Sequence, residues 1–264
     1  MDKDNDKEFF RYKYLPFGQD KLSLNVIKEG TIKFTCPKDF NDPFDCQPVS
    51  TVIEDVKNSD LYKRTMPKLK SSPAKRLAIE NRMATAIRNH IKSGKLQETV
   101  MGIVGVLSLS KTYDNILMWS HYAEYHKGFV VGFRYEMSDL IDTNLPSELP
   151  VFPVIYSNER KSFNYFGDES EYDIHGALLT KSEHWKYEEE VRVLDLVRGP
   201  GIHDYNRSRR LHCVIAGAKI NQEDLILLKN AVKQATKELG RKIYFYQARL
   251  SDKSFEIEIN KVNL

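Results

Sequence analysis

Runs of aliphatic, β-branched and aromatic residues, several of them alternating with polar ones, predict nine strands, over 9–14, 31–36, 102–109, 128–133, 151–156, 189–197, 211–216, 243–248 and 255–259. Helices are marked by their ends. Ser72-Pro73 opens one that Gly94 stops, and Asn221 with Asp224 opens another that Gly240 stops. In the latter, Leu225, Leu228, Val232, Ala235 and Leu239 share one face, which predicts packing against a sheet. A third helix runs from Asn115 to His126 and ends at Gly128.

The elements do not alternate as a βαβ series, because several strands follow one another after the middle helices. This order predicts an α+β fold, with a mixed, largely antiparallel β-sheet core and flanking helices. At 264 residues the chain is near the upper size for one core. It is read as a single domain, 1–264, with a helical insertion over 48–95 and a loop over 162–173.

Charge changes this picture at one place. The formal net charge is +3, yet Lys63 to Lys95 holds ten Lys/Arg against one acid, Glu80. The insertion is therefore basic and the remainder mildly acidic, a pattern that suits either a solvated helix face or a contact surface for nucleic acid or an acidic partner. The three cysteines, Cys36, Cys46 and Cys213, form no CxxC pair, and no signal-peptide pattern is present, so a cytoplasmic setting is expected. The longest apolar run, 101–109, is too short to span a bilayer, and no membrane association is expected.

Spacing removes several chemistries. Asp39, Asp42 and Asp45 begin like a calcium loop, but Pro43 and Ser50 stand where an oxygen ligand and a bidentate glutamate belong. His121 and His126 are five apart with no HExxH, so no metal site is expected. GxGxxG, Walker and GxSxG patterns are absent.

Four segments remain. Phe40-Asn41-Asp42-Pro43-Phe44-Asp45 is a turn whose Asx side chain can cap its own backbone. Met118-Trp119-Ser120-His121-Tyr122-Ala123 sets Trp119, Tyr122, Ala123 and His126 on one helical stripe and His121 with Met118 and Tyr125. Trp185-Lys186-Tyr187-Glu188-Glu189-Glu190-Val191-Arg192 is the most informative. A strand starting near Glu189 puts Glu188, Glu190 and Arg192 on one face and Val191 and Val193 on the core face. Converging carboxylates and a guanidinium fit either a site or a solvent-side ladder of opposite charges.

With Tyr12-Lys13-Tyr14 as the fourth, and with His126-Lys127-Gly128 after the helix, these segments resemble the bacterial domain of unknown function 2971 (DUF2971) family. The layout is also similar to ADP-ribosyltransferases. There a first strand gives a His or Arg, a second is Ser-rich with a nearby aromatic, and a late strand carries Glu or Gln, any residue, then the catalytic Glu. That resemblance implies Lys13 in the first position, Ser108 and Ser110 in the second, and Glu188 with Glu190 in the third. Lys13 departs from the expected His or Arg, and Ser108-Leu109-Ser110 only approximates the second element.

The resemblance implies NAD as cofactor. Glu190 would stabilise positive charge developing on the ribose as nicotinamide leaves, and Glu188 would orient the attacking group or take its proton. Tyr14 or Trp119 would stack on nicotinamide and Lys13 or Arg192 would contact phosphate. His121 and Tyr122, with Trp119, are expected to line the same cleft. The implied function is an NAD-dependent ADP-ribosyltransferase-like effector acting on a protein or nucleic-acid target, of the toxin or antiviral (phage) defence kind by analogy. The alternative is a non-catalytic sensor or adaptor that holds nucleic acid or a partner protein through 63–95. A third is a metal-dependent nuclease with Glu188, Glu190, Asp195 and His121 around magnesium.

Overall fold

A computed structural model of the chain describes residues 8–50, 72–139, 145–163 and 170–264. In chain order its strands are β1 (Glu8–Leu15), β2 (Thr31–Phe34), β3 (Val49–Ser50), β4 (Gly105–Ser110), β5 (Phe129–Glu136), β6 (Phe152–Pro153) and β7 (Ile155–Ser157). They continue as β8 (Ser162–Phe163), β9 (Thr180–Ser182), β10 (Glu190–Asp195), β11 (Gly201–Asp204), β12 (Leu211–Ala216), β13 (Tyr244–Leu250) and β14 (Ile257–Val262). The chain divides into two compact units. Met1–Thr35, Gly105–Val154 and His184–Leu264 make the first, and Cys36–Val104 with Ile155–Glu183 the second.

The first unit is built on an eight-stranded sheet in the order β14-β13-β12-β5-β1-β4-β10-β6. Only the β12–β13 pair in it is parallel, so the mixed, largely antiparallel sheet with flanking helices expected from the sequence is what forms. The pleat sorts its residues into two layers. Phe9, Leu107, Leu109, Val131, Phe133, Val191, Val193 and Val214 belong to one core cluster, together with Leu228, Ala231, Val232 and Ala235 of the helix Gln222–Leu239. That helix has the ends its sequence announces. Asn221 caps it by accepting from Asp224 N at 2.8 Å, and Gly240 leaves it at φ 62°, a left-handed conformation that glycine takes without steric cost. On the opposite layer Tyr12, Tyr14, Val130, Cys213, Ile215 and Tyr246 meet Met118 and Trp119 of the short helix Ile116–Tyr122.

Several element bounds differ from the sequence pattern. Gly102 closes a helix, Lys95–Gly102, instead of opening a strand. The run 151–156 splits into β6 and β7, which pair with β10 and β9 respectively, because Pro153 has no N–H with which to extend a ladder. The helix expected to reach His126 stops at Tyr122, since Glu124, Tyr125 and His126 all adopt positive φ (51°, 55° and 69°) and Gly128 N returns to Ala123 O at 2.8 Å. The last strand starts at Ile257 rather than at Phe255, which lies in the preceding turn.

The second unit holds the parallel pairs β3–β8 and β7–β9 and the helices Pro73–Lys92, Lys95–Gly102 and Ser170–Leu179. The basic insertion expected over 48–95 falls in it. Of its ten cations, Lys63, Arg64, Lys68 and Lys70 lie outside the described residues, as do residues 164–169 of the loop expected over 162–173. From Ser170 onward that segment is helical. Among the described residues no helix is long and apolar enough to cross a membrane.

Candidate functional site

Strand register, more than any single residue, defines the site. Ser110 of β4 is the partner of Tyr12 on β1 and of Glu190 on β10. Cross-strand partners project to the same side of a sheet, so Tyr12, Ser110 and Glu190 form a row across three neighbouring strands. Arg192, paired with Ser108, lies one step along the same face. Tyr12 is also paired with Gly132, and Gly132 with Cys213, which prolongs the row across β5 and β12. A Cβ on Gly132 would stand 2.5 Å from Cys213 Sγ and 3.2 Å from the Tyr12 ring, so only glycine lets the row close up here. Burial raises the Cys213 thiol to about 12, which leaves it protonated and inert.

The chain entering β10 is tied down from the segment that follows β4. Asn115 Nδ2 donates to Tyr187 O at 2.9 Å, Ser110 Oγ to Glu188 O at 2.7 Å, and Lys111 N to Glu189 O at 3.1 Å. Three successive carbonyls are thus held by the last residue of β4 and two residues of the connection to the helix. Asn115 also caps the helix Ile116–Tyr122, accepting from Leu117 N at 2.9 Å and Met118 N at 3.2 Å, so one side chain couples helix start and strand start. Between the two candidate carboxylates, Glu189 adopts φ 44°, a left-handed conformation that a residue with a Cβ adopts at a cost and that the surrounding bonds maintain.

Both carboxylates are buried and partnered. Arg192 Nε and one terminal nitrogen donate to the two oxygens of Glu190 at 2.8 and 3.1 Å, a bidentate pair with Glu190 4% and Arg192 0% exposed. Tyr122 Oη donates to Glu188 Oε1 at 2.6 Å. Around Tyr122 lie partly exposed rings: His121 at 6.2 Å from Tyr122 and 6.5 Å from Tyr187, and Trp185 at 6.0 Å from Tyr187. The charge-ladder alternative is thereby excluded for Glu190 and Arg192, which face no solvent.

The other residues read from the sequence divide. Ser110 and Ser108 join the row's face, although Ser110 Oγ is engaged with Glu188 O and receives Thr112 N at 3.0 Å. Tyr122 reaches Glu188 through its hydrogen bond, and the His121 ring lies near those of Tyr122 and Tyr187. Trp119, however, is fully buried, donates its indole N–H to Tyr113 O at 2.8 Å and meets Tyr14 edge-on at 5.5 Å. Tyr14 donates to Thr112 O at 3.1 Å, and burial followed by the nearby Asp114 charge pushes its phenol above the ordinary range. Both rings are core. Lys13 alternates with Tyr12 and Tyr14 and so takes the opposite face, where its ammonium donates to Ser108 O at 2.9 Å. Asp195 likewise takes the Val191–Val193 face. Burial works against its charge, but hydrogen bonds from the Arg198 backbone and guanidinium outweigh that and hold the carboxyl below its usual range. The four residues imagined around magnesium therefore do not converge, and among the described residues no three His, Cys, Asp or Glu are grouped to hold a metal ion.

Tyr12 and Asn115, read from the sequence only as a motif residue and a helix start, are the two that it did not assign to the site. The first was legible, because strict alternation cannot put both Lys13 and Tyr14 on one face, and Tyr12 is the residue that shares Tyr14's.

Residues 118–193 match a family model described as a protein of unknown function, DUF2971. Over that segment the chain is similar to the DUF2971 family. No curated protein and no solved structure matches the chain. The DUF2971 segment opens within the helix that supplies Tyr122 and closes within β10, so its two ends are the two walls of the carboxylate site, while Tyr12, Ser110 and Asn115 lie outside it.

Proposed function

We propose that this chain is an NAD-dependent ADP-ribosyltransferase-like effector whose reacting centre is the Glu188–Glu190 region. The observation that carries the reading is the register row: β1, β4 and β10, the three strands on which the resemblance relies, are neighbours, and Tyr12, Ser110 and Glu190 are aligned across them. The residues present fit an NAD headgroup, since Tyr122, His121 and Tyr187 offer partly exposed rings beside a carboxylate, the arrangement that attracts a cationic aromatic ring.

When bound, NAD supplies an ADP-ribose group whose bond to nicotinamide breaks with positive charge developing on the ribose. Glu190 is the carboxylate that would stabilise that charge. The bidentate pair with Arg192 fixes the rotamer of Glu190, which is the preorganisation that electrostatic catalysis needs. Tyr122 orients Glu188, the group read as orienting the attacking nucleophile or taking its proton. Ser110 and Asn115 act as positioning residues through the backbone of 187–188. Phosphate contact by Lys13 or Arg192 does not belong to this scheme, because Lys13 is on the other face and Arg192 is fully buried.

The test is mass spectrometry of expressing cells for ADP-ribose adducts and NAD loss, comparing the wild type with Glu190→Gln. We expect adducts from the wild type only and a loss of about 10²–10³ in rate for the variant, measured on folded protein at a temperature below its melting point, which falls because buried Arg192 loses its countercharge. Absence of adducts and of NAD loss from the folded wild type rejects the reading.

A second reading, a sensor or adaptor that binds nucleic acid or an acidic partner, is supported by the helix Pro73–Lys92. Lys75, Arg82 and Lys92 on it are exposed and have no ion-pair partner among the described residues.

A further inference from the structure

We propose that the second unit carries a nucleoside monophosphate site, in the pocket of about 240 Å³ where Phe44 and Gln47 face Arg160, Lys161 and the strands β7 and β9. The Phe40–Asp45 turn, which the reaction above does not use, forms one wall. Asp42 Oδ1 accepts from Phe44 N at 2.9 Å, and buried Asp45 pairs with buried Lys181 at 3.5 Å, so the turn is held on both sides of Phe44. Phe44 is nevertheless 64% exposed. An aromatic ring presented to water by an anchored turn is a stacking surface for a flat base.

The opposite wall supplies charge. Arg160 is fixed by Nε and one terminal nitrogen, which donate to Gln47 O at 2.9 and 2.5 Å, and by the Phe44 ring, whose centroid is 5.8 Å from its Cζ. A guanidinium has five N–H donors, and the others have no protein partner among the described residues. Lys161, next in the chain and also lining the pocket, has no ion pair among the described residues. A rigidly held guanidinium with unspent donors beside an ammonium is suited to a phosphate. Ser157 and Ser182 are cross-strand partners in β7–β9, and Thr180, whose hydroxyl donates to Gly176 O at 2.6 Å, is two residues away on the same face; Ser157 Oγ accepts from Glu159 N at 3.0 Å, so its own proton can be donated to a ribose. Glu159 also lines the pocket, and its charge together with the small volume favours one phosphate over a di- or triphosphate.

The experiment is calorimetric titration of the full chain with AMP, GMP, CMP and UMP, with adenosine, and with inorganic phosphate. At least one monophosphate is expected to saturate the protein at millimolar concentration or below, with adenosine and inorganic phosphate at least about tenfold weaker. Lys161→Gln and Arg160→Gln should each weaken that binding by about tenfold to a hundredfold, the range of one charge-assisted hydrogen bond. Phe44→Leu should reduce it while sparing inorganic phosphate. Because Arg160 also braces Gln47, Lys161→Gln, which removes no contact within the protein, is the deciding variant and should melt like the wild type. Failure of all four monophosphates to saturate, unchanged binding by Lys161→Gln, or equal affinity for inorganic phosphate overturns the site.

Discussion

The two faces of the central sheet are made from the same strands, yet they are built on different terms. On the face covered by the helix Gln222–Leu239, β10 contributes Val191 and Val193 and β4 contributes Leu107 and Leu109, side chains with no polar atoms to satisfy. On the other face the same strands contribute Glu190, Arg192 and Ser110, almost as deeply buried and all requiring partners, and the half-buried Ser108. Apolar burial is non-directional and tolerates approximate geometry, whereas a buried bidentate ion pair is stable only when both members are present and well placed. Asp195 on the apolar face stands at the end of β10, where Arg198 pairs with it, whereas Glu190 and Arg192 form a buried ion pair where valines could stand, which spends stability in the pattern expected of a site.

The largest expected effect breaks the comparison at its centre. Arg192→Met leaves Glu190 buried without its countercharge and should cost about 3–5 kcal/mol in denaturant unfolding, against about 2 kcal/mol for Val193→Ala on the other face. The combination Arg192→Met with Glu190→Gln should recover part of the loss, because the stranded charge is gone. If the double variant is as unstable as Arg192→Met, Arg192 acts by packing alone and the face is not an electrostatic construction.

A smaller effect sharpens where the row ends. Gly132→Ala introduces a Cβ 2.5 Å from Cys213 Sγ and 3.2 Å from the Tyr12 ring, and the crowding should cost about 1–3 kcal/mol. Combining it with Cys213→Ala removes the nearest clash and should restore most of the stability. If the pair of substitutions remains as destabilised as Gly132→Ala, the constraint lies in the Tyr12 ring and the row is tighter on the β1 side.

The apolar face was the legible one. Its helix was readable from the spacing of Leu225, Leu228, Val232, Ala235 and Leu239 and from Asn221 and Gly240, because periodicity and caps are local signals. The convergence of Glu190 and Arg192 was also readable, since period two alone sets residues i and i+2 together. What local pattern does not encode is which strands become neighbours. The alignment of Tyr12 with Ser110 and Glu190 joins segments about eighty to a hundred residues apart, and it arises only when β1, β4 and β10 assemble in that order. Reading Trp119 and Tyr14 as ligand-stacking residues failed to foresee that each ring would find a backbone carbonyl for its polar atom and so be free to enter the core. The early stop of the helix at Tyr122 was hidden as well, because three consecutive left-handed residues without glycine carry no sequence signature.

The smallest expected effect on stability concerns the helix Pro73–Lys92, where charge is arranged in the opposite manner from the sheet. Glu190 and Arg192 are buried and mutually satisfied, but Lys75, Arg82 and Lys92 stand in water without ion-pair partners among the described residues. Reversing an exposed, unpaired charge removes no contact, so Lys75→Glu, Arg82→Glu and Lys92→Glu together should shift unfolding by under about 1 kcal/mol. Their effect on partners separates the two functional readings. If the helix holds nucleic acid, the wild type should bind a labelled duplex with an affinity that falls steeply with salt, by about 0.7–0.9 in log K per phosphate neutralised for each tenfold rise in salt, and the triple variant should lose both the binding and most of that slope. A transferase whose target is not nucleic acid should show neither, and should keep its Glu190-dependent NAD turnover in the triple variant. Duplex binding that is insensitive to salt, or that survives the three reversals, would remove this helix from consideration as the contact surface.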